Sequence, residues 1–350
     1  MQWIIEEQIM QRCFDLARRG MGQASPNPLV GAVLVHDGRI IGEGYHEKFG
    51  GPHAEVNALA SVAVNDRPLI RQGTLYVSLE PCCIYGKTPP CTNLILEHGI
   101  RRVVVSCLDP SPEVNGRGIA ALRKAGIDVK TGVLEALGKL LISPRRTFTC
   151  EKRPHIILKW AETSNGFMAP LKNTPFWISN VYSRRIVHRW RMEADAILVG
   201  AGTAISDNPE LNNRYYYGKS PLRIVIDPTC TLPPHLHLFD GSAPTLLVHK
   251  KGLERQALQK PSVSPITADT LAEMLEALHK RSVGILLVEG GPATLGHFIR
   301  EGFWDEARVI TSAVQVLPEG RRPPSLPVRH AQEFYLGSDR IRYYYPLPPR

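Results

Sequence analysis

Residues 51–60, GPHAEVNALA, and residues 80–91, EPCCIYGKTPPC, decide how the first half of this chain reads. One histidine, His53, and two cysteines, Cys82 and Cys91, make a normal three-ligand set for zinc and leave the fourth tetrahedral position open to water. Glu55 follows His53 too closely to be needed as a ligand. It is well placed to take a proton from water and pass it to a leaving amine. His53 and Cys91 each read as the start of a helix, where positive partial charge favours the thiolate that zinc requires. Pro81 and Pro89-Pro90 stiffen the loop that carries the cysteines. H-A-E or P-C-C alone occurs by chance in many proteins. In this order, one at a helix start and one after a buried strand, they point to catalytic zinc. The rival is a structural zinc with Cys83 as fourth ligand, although adjacent side chains of an extended segment face opposite ways.

Outward from this pair of motifs the first half alternates strands and helices. Residues 4–19 read as a helix. Residues 29–46, LVGAVLVHDGRIIGEGYH, read as two strands joined at Asp37-Gly38, a pair suited to tight turns with positive φ at both central positions. HAEVNALASV (53–62) reads as a helix, GTLYVSLE (73–80) as a strand, and CTNLILEHG (91–99) as a helix closed by Gly99. RRVVVSCLD (101–109), GRGIAALRKAG (116–126) and IDVKTGVL (127–134) continue as strand, helix and strand, so that helices cover a sheet.

SPRRTFTCEKRP (143–154), with two prolines and a run of charge, reads as a linker. It predicts a boundary at 147/148 between domains spanning 1–147 and 148–350. The alternation then restarts. HIILKWAET (155–163) is a strand and SRRIVHRWRMEA (183–194) a helix; DAILVGAGT (195–203), LRIVID (222–227) and APTLLVH (243–249) are strands. LAEMLEALHKR (271–281) is a helix, VGILLVEGG (283–291) a strand, and PATLGHFIREG (292–302) a helix; WDEARVITS (304–312) and IRYYYPL (341–347) complete a second sheet.

Composition bounds the reading. With 350 residues, 43% hydrophobic and 21% charged, the chain is an ordinary globular mixture sized for two domains. No apolar run is long enough to span a bilayer, and the N-terminus lacks the pattern of a secretion signal, which predicts a cytoplasmic protein without membrane partners. Seven scattered cysteines suit a reducing compartment, and only those at 82–91 cluster. The excess of 42 Lys+Arg over 33 Asp+Glu favours anionic partners. No basic block interleaved with aromatics argues for nucleic acid.

Zinc deaminases of bases carry H-x-E followed by P-C-x-x-C. This chain has the H-x-E and the P-C, but its second cysteine, Cys91, comes much later. With that longer gap, HAE followed by EPC-x(3)-GKTPPC resembles the bifunctional deaminase/reductase family of riboflavin biosynthesis. Pro26-Asn27-Pro28-Leu29-Val30-Gly31, Gly42-Glu43-Gly44-Tyr45-His46, Asp109-Pro110 and Gly116-Arg117-Gly118 extend the resemblance over the first half. It implies an α/β fold: an N-terminal cytidine-deaminase-like three-layer domain plus a C-terminal dihydrofolate-reductase-like domain. It implies zinc on His53, Cys82 and Cys91, Glu55 as proton donor, and Asn27, His46 and Lys87 on a phosphoribosylated pyrimidine. Cys83-Ile84 departs from the family's usual Ser-His.

The second half resembles the family's reductase through Leu158-Lys159-Trp160-Ala161, Trp177-Ile178-Ser179, Ala196-Ile197-Leu198-Val199-Gly200, Asp207-Asn208-Pro209, Leu222–Asp227 and Val288-Glu289-Gly290-Gly291-Pro292. The resemblance implies NADPH at Ala161, Trp177, Thr203, Asp207, Gly290, Gly291, Pro292, Ala293 and Thr294, and substrate at Arg191, Leu211, Arg214 and Glu289. Bare N–H groups at Gly290-Gly291 before a helix suit a pyrophosphate, and two fixed guanidinium groups suit a ribose phosphate. Asn165 and Pro175 depart from the family's usual residues. The expectation is a homo-oligomeric enzyme that deaminates the pyrimidine and then reduces its ribosyl chain. The alternatives are a decayed reductase half, a cytosine or adenine deaminase of nucleosides or RNA, and a non-catalytic zinc-stapled binding protein.

Overall fold

The computed structural model describes residues 2–86, 89–171, 176–253, 260–328 and 330–346. It divides into two compact units, Met1–Lys152 and Arg153–Arg350.

In the first unit, α1 (Gln2–Arg18) precedes a hairpin of β1 (Gly31–His36) and β2 (Arg39–Tyr45). The hairpin turns at Asp37 and Gly38, whose φ values of 47° and 74° match the expected turn. Then come α2 (Ala54–Ala60), β3 (Thr74–Leu79), α3 (Cys91–Glu97), β4 (Arg102–Cys107), α4 (Arg117–Lys124) and β5 (Asp128–Thr131). The sheet order is β2-β1-β3-β4-β5. β1 runs antiparallel to β2 and β3, and β4 and β5 are parallel to β3. The C-terminal ends of β2, β3, β4 and β5 therefore share one edge, which is where open α/β sheets build sites.

Alternate residues of these strands enter two cores. Ala32, Leu34, Leu75, Val77, Val103 and Val105 pack with Ala54 and Ala58 of α2, Ile95 of α3 and Leu122 of α4. Val33, Val35, Tyr76 and Val104 pack with Met10, Cys13 and Phe14 of α1. Helix, sheet and helix form the expected three layers.

Gly44 lets α2 lie directly on β2. A Cβ there would collide with the backbone N of Ala58 and lie 2.6 Å from the carbonyl of Ala54. Neither backbone atom can move without shifting α2, which begins right after His53. Gly44→Ala is expected to cost about 1–3 kcal/mol and to weaken zinc retention. Thermal unfolding with zinc analysis checks this, and an unchanged Tm with full zinc content would refute it.

The segment read as a linker is instead structured. After α5 (Glu135–Leu141), Ser143–Arg146 forms α6 and Thr147–Glu151 winds on as a wider helical turn. Pro144 sits in the first turn, where its missing N–H costs nothing, so it starts the helix instead of breaking it. Thr147 and Thr149 donate their hydroxyls to the carbonyls of Ser143 and Arg145 at 3.2 and 2.8 Å.

The second unit holds β6 (His155–Glu162), α7 (Val181–Glu193), β7 (Ala196–Gly200), α8 (Ala201–Asp207), β8 (Leu222–Ile226), β9 (Thr245–His249) and β10 (Val263–Thr267). α9 (Leu271–Lys280), β11 (Ile285–Val288), α10 (Pro292–Arg300), β12 (Glu306–Ser312), β13 (His330–Leu336) and β14 (Asp339–Tyr344) follow. The nine-stranded order is β10-β9-β8-β7-β11-β6-β12-β14-β13. Every pair from β10 to β12 is parallel, and β14 and β13 close the sheet antiparallel. Leu275 of α9 and Phe298 of α10 fill one core; Val187 and Trp190 of α7 fill the other.

Two zinc-type and dinucleotide-type sites

In the first unit the convergent strand ends enclose a cavity of about 260 Å³ lined by Asn27, His46, His53, Glu55, Glu80, Cys82, Ile84, Asp109 and Arg145, among others. His53 caps α2 in extended conformation, Glu55 lies in its first turn, and Cys91 opens α3. Cys82 follows β3. Its carbonyl accepts from Thr92 N at 3.1 Å and its Sγ from Cys91 N at 3.3 Å, so the loop is tied to the start of α3.

The ligand atoms of His53, Cys82 and Cys91 lie within 4.8 Å of one another. His53 Nδ1 is 3.2 Å from Cys91 Sγ and 3.6 Å from Cys82 Sγ. Two thiols and an imidazole converging this closely fit zinc, which prefers this donor set. Cys83 is not in the cluster, which removes the proposed fourth ligand. The Cys82 thiol is held down, to about 4, by hydrogen bonding to Cys91 and then to His53, against its burial. Burial pushes the Glu55 carboxyl up, with His53 opposing. A raised carboxyl is more easily protonated, which suits a group that must both take and give a proton.

Asn27 Nδ2 is 3.0 Å from His46 Nε2, and His46 Nδ1 is 2.9 Å from the carbonyl of Pro52. The carbonyl can only accept, so Nδ1 donates and Nε2 accepts from Asn27. Burial lowers the His46 pKa, in keeping with this neutral tautomer. Glu80 draws the far wall in: its oxygens accept from Asp109 N at 3.2 Å, Gly116 N at 2.9 Å and Ile119 N at 3.2 Å. Lys87 lies outside the described residues, as does Pro175.

In the second unit a groove of about 830 Å³ opens over the strand ends. Its lining includes Ala161, Trp177, Arg191, Thr203, Asp207, Leu211, Arg214, Glu289, Gly290, Gly291, Pro292, Ala293 and Thr294, which brings together every site residue expected in this half. Gly291 caps α10 without a side-chain hydrogen bond, and Pro292 opens the helix. A Cβ on Gly290 would lie 2.7 Å from that of Thr294, and one on Gly200 would meet Thr294 Oγ1. Bare backbone at the start of a helix, in a roomy groove, fits a dinucleotide phosphate. Trp177 is 64% exposed, with the Arg184 guanidinium 4.4 Å from its ring centre, and offers a plate at the groove's rim. Asn165 keeps its turn role: it accepts from Thr163 Oγ1 at 2.7 Å and donates to the Leu317 carbonyl at 2.6 Å.

The two guanidinium groups differ. Arg191 donates from Nε and Nη2 to the two oxygens of Glu289 at 2.9 and 3.0 Å, and from Nη1 to the Asn212 carbonyl at 3.0 Å. Arg214 is the more open of the pair: it donates to Asn212 Oδ1 at 2.7 Å and lies over Tyr215. Lys159 Nζ completes a triad at 3.3 Å from Glu289. Burial would push the Glu289 carboxyl up, but Arg191 and Lys159 outweigh it and hold it at about 2. The sequence reading assigned no role to Lys159. A lysine set within the apolar run of IILKWA was the available signal.

Fold and sites together define a zinc-type deaminase joined to a dinucleotide-dependent reductase. The cytidine and deoxycytidylate deaminase zinc-binding region matches residues 4–107, and the RibD C-terminal domain matches residues 154–316. Riboflavin biosynthesis protein RibD of Aquifex aeolicus is 40% identical over 334 residues, covering 94% of this chain and 92% of that protein. The chain belongs to the RibD family, the bifunctional deaminase/reductases of riboflavin biosynthesis, and its cofactors are zinc and NADPH. RibD of Escherichia coli is 33% identical over 343 residues, covering 92% of this chain and 91% of that one. A Thermotoga maritima diaminohydroxyphosphoribosylaminopyrimidine deaminase/5-amino-6-(5-phosphoribosylamino)uracil reductase matches with TM-score 0.90 at 35% identity, covering 99% of this chain and 100% of that one.

Proposed function

We propose that the first site hydrolyses an amino group of 2,5-diamino-6-(5-phosphoribosylamino)pyrimidin-4-one and that the second reduces the ribosyl chain of the product to ribityl; the Thermotoga relative is named a deaminase and reductase of such phosphoribosylated pyrimidines. The observation that carries this reading is the convergence of His53, Cys82 and Cys91 on a cavity that also holds buried Glu55.

His53, Cys82 and Cys91 would hold the zinc, which when bound makes water acidic enough to attack at neutral pH. Glu55 takes the proton from the attacking water and delivers it to the departing amino group. A C–O bond forms, the C–N bond breaks, and ammonia leaves. Asn27 and His46 orient the pyrimidine edge, and Lys87 meets the ribose phosphate. In the groove, Gly290–Thr294, Thr203, Asp207, Ala161 and Trp177 bind NADPH, which supplies the hydride. The C1′–H bond forms as the bond from C1′ to the ribose ring oxygen breaks, the C1′–N bond is kept, and Lys159, paired with Glu289, donates the proton that the ring oxygen takes up. Arg191, Leu211, Arg214 and Glu289 shape the substrate end.

No helix among the described residues is long and apolar enough to cross a membrane. The sequence pattern and the family support a cytoplasmic homo-oligomer that takes no nucleic acid. A single assay following ammonia and NADPH together tests the function. The phosphoribosylated diaminopyrimidine should release ammonia first and consume NADPH only afterwards. Chelation should stop ammonia release while NADPH consumption on the deaminated intermediate persists, and added zinc should restore ammonia release. Preferred ammonia release from cytidine or adenosine would overturn the substrate assignment, and no NADPH consumption on the intermediate would mark a decayed reductase.

A further inference from the structure

The wall of the deaminase cavity opposite in sequence to the metal ligands is built from the loop after β4 and from α6, through Asp109, Val114 and Arg145. Arg145 lies in the segment whose prolines and charges read as a linker; because that segment is helical, its side chain reaches the cavity. The guanidinium is only partly used. Nη2 donates to the buried hydroxyl of Ser111 at a long 3.3 Å. Nε is closed off from solvent and has no acceptor. Among the described residues no carboxylate lies within ion-pair distance of it.

The rest of the lining makes this cation conspicuous. The described lining holds three acids, Glu55, Glu80 and Asp109, and Arg145 is its only lysine or arginine. Glu80 is fully engaged by backbone N–H groups, and Asp109 Oδ1 accepts from Ser111 N at 2.7 Å. A guanidinium that is partly removed from water, with its Nε closed off and no carboxylate partner, carries a desolvation cost, and its place in a binding cavity suits an anion. Burial lowers the Arg145 pKa, with Asp109 and Glu113 opposing from a distance, which describes the same uncompensated charge. A planar fork of N–H donors matches phosphate oxygens better than any other group in this lining.

We infer that Arg145 binds the phosphate of the phosphoribosyl substrate in the deaminase site, held at its place by the hydroxyl of Ser111. The inference rests on the deaminase reading above and adds to it a residue that fixes specificity for the phosphorylated substrate. The phosphate is then held at the α6 wall, and Glu55 is left to the amino group that departs.

The test uses the full-length zinc-loaded protein and two substrates, the phosphoribosylated diaminopyrimidine and the same riboside without its phosphate. In Arg145→Leu the KM for the phosphorylated substrate should rise about 10–100-fold, the loss expected for a charged hydrogen-bonding group, with kcat nearly unchanged. KM for the dephosphorylated substrate should stay the same, and Arg145→Lys should recover part of the loss. NADPH consumption on the deaminated intermediate serves as the folding control, and Arg145→Gln takes the place of the leucine variant if that one does not fold. An equal loss on both substrates, or an unaltered KM on the phosphorylated one, would overturn the inference while leaving the deaminase assignment intact. A wild-type protein that releases no ammonia from the phosphorylated pyrimidine would overturn the assignment itself, and the inference with it.

Discussion

Glu55→Gln should lower ammonia release by roughly 10²–10⁴-fold while zinc content and NADPH consumption on the deaminated intermediate stay at wild-type levels. Glutamine has nearly the same shape as glutamate, and Glu55 is only 3% exposed, so the substitution keeps the packing of α2. It removes the ability to carry a proton. The magnitude follows from the two transfers proposed for Glu55, one from water and one to the departing amine, neither of which His46 can take over in its neutral, doubly hydrogen-bonded state. The separate readouts matter because a structural role would also cost zinc or stability. Turnover within a few-fold of wild type, with zinc bound, would remove Glu55 from the mechanism.

The second large effect is expected in the reductase half. Arg191→Met should destabilise it by about 3 kcal/mol, the lower part of the range for breaking a buried ion pair, because Lys159 still faces Glu289. For a domain of this size that is about 6–12 °C in Tm. The same loss should depend on pH. The Glu289 carboxyl ionises at about 2 in the folded protein, well below its ordinary 4.5. Its contribution to stability is therefore complete above about 4.5 and is lost as pH falls toward 2. Without Arg191 the folded-state pKa rises, so the gap between variant and wild type should be widest near neutral pH and shrink on acidification. Adding Glu289→Gln to Arg191→Met should lower the stability further instead of restoring it, since the Lys159 ammonium then loses its carboxylate partner. Urea unfolding from pH 7 downward measures all three effects, and a gap that stays constant with pH would show that the pair is not the source.

The cluster of His53, Cys82 and Cys91 was legible because each member is set by a local signal. His53 precedes an apolar helical stretch, Cys82 follows an apolar strand, and Cys91 follows two prolines that cannot sit inside the helix it opens. The hairpin at Asp37-Gly38 was legible for the same reason: its backbone demands those residue types. The elements that were not read, such as α5, α8, β10 and β13, are short or lack a clean period. The segment at 143–154 misled because proline and charge mark a linker and a helix's first turn equally well.

The sequence by itself picked out the His53, Cys82 and Cys91 that the fold gathers, the Glu55 beside them and the alternation that makes two sheets, because these depend on neighbours along the chain. Only the tertiary structure decided which charges meet. Arg191 and Glu289 are 98 residues apart, and nothing in either local sequence says that they neutralise each other. Arg145 becomes a cavity residue only because α6 folds back to the strand ends that carry the metal ligands. Pairing and burial of charge are settled by which surfaces pack together, and the energy that selects them belongs to the assembled fold, where water has been removed from both partners.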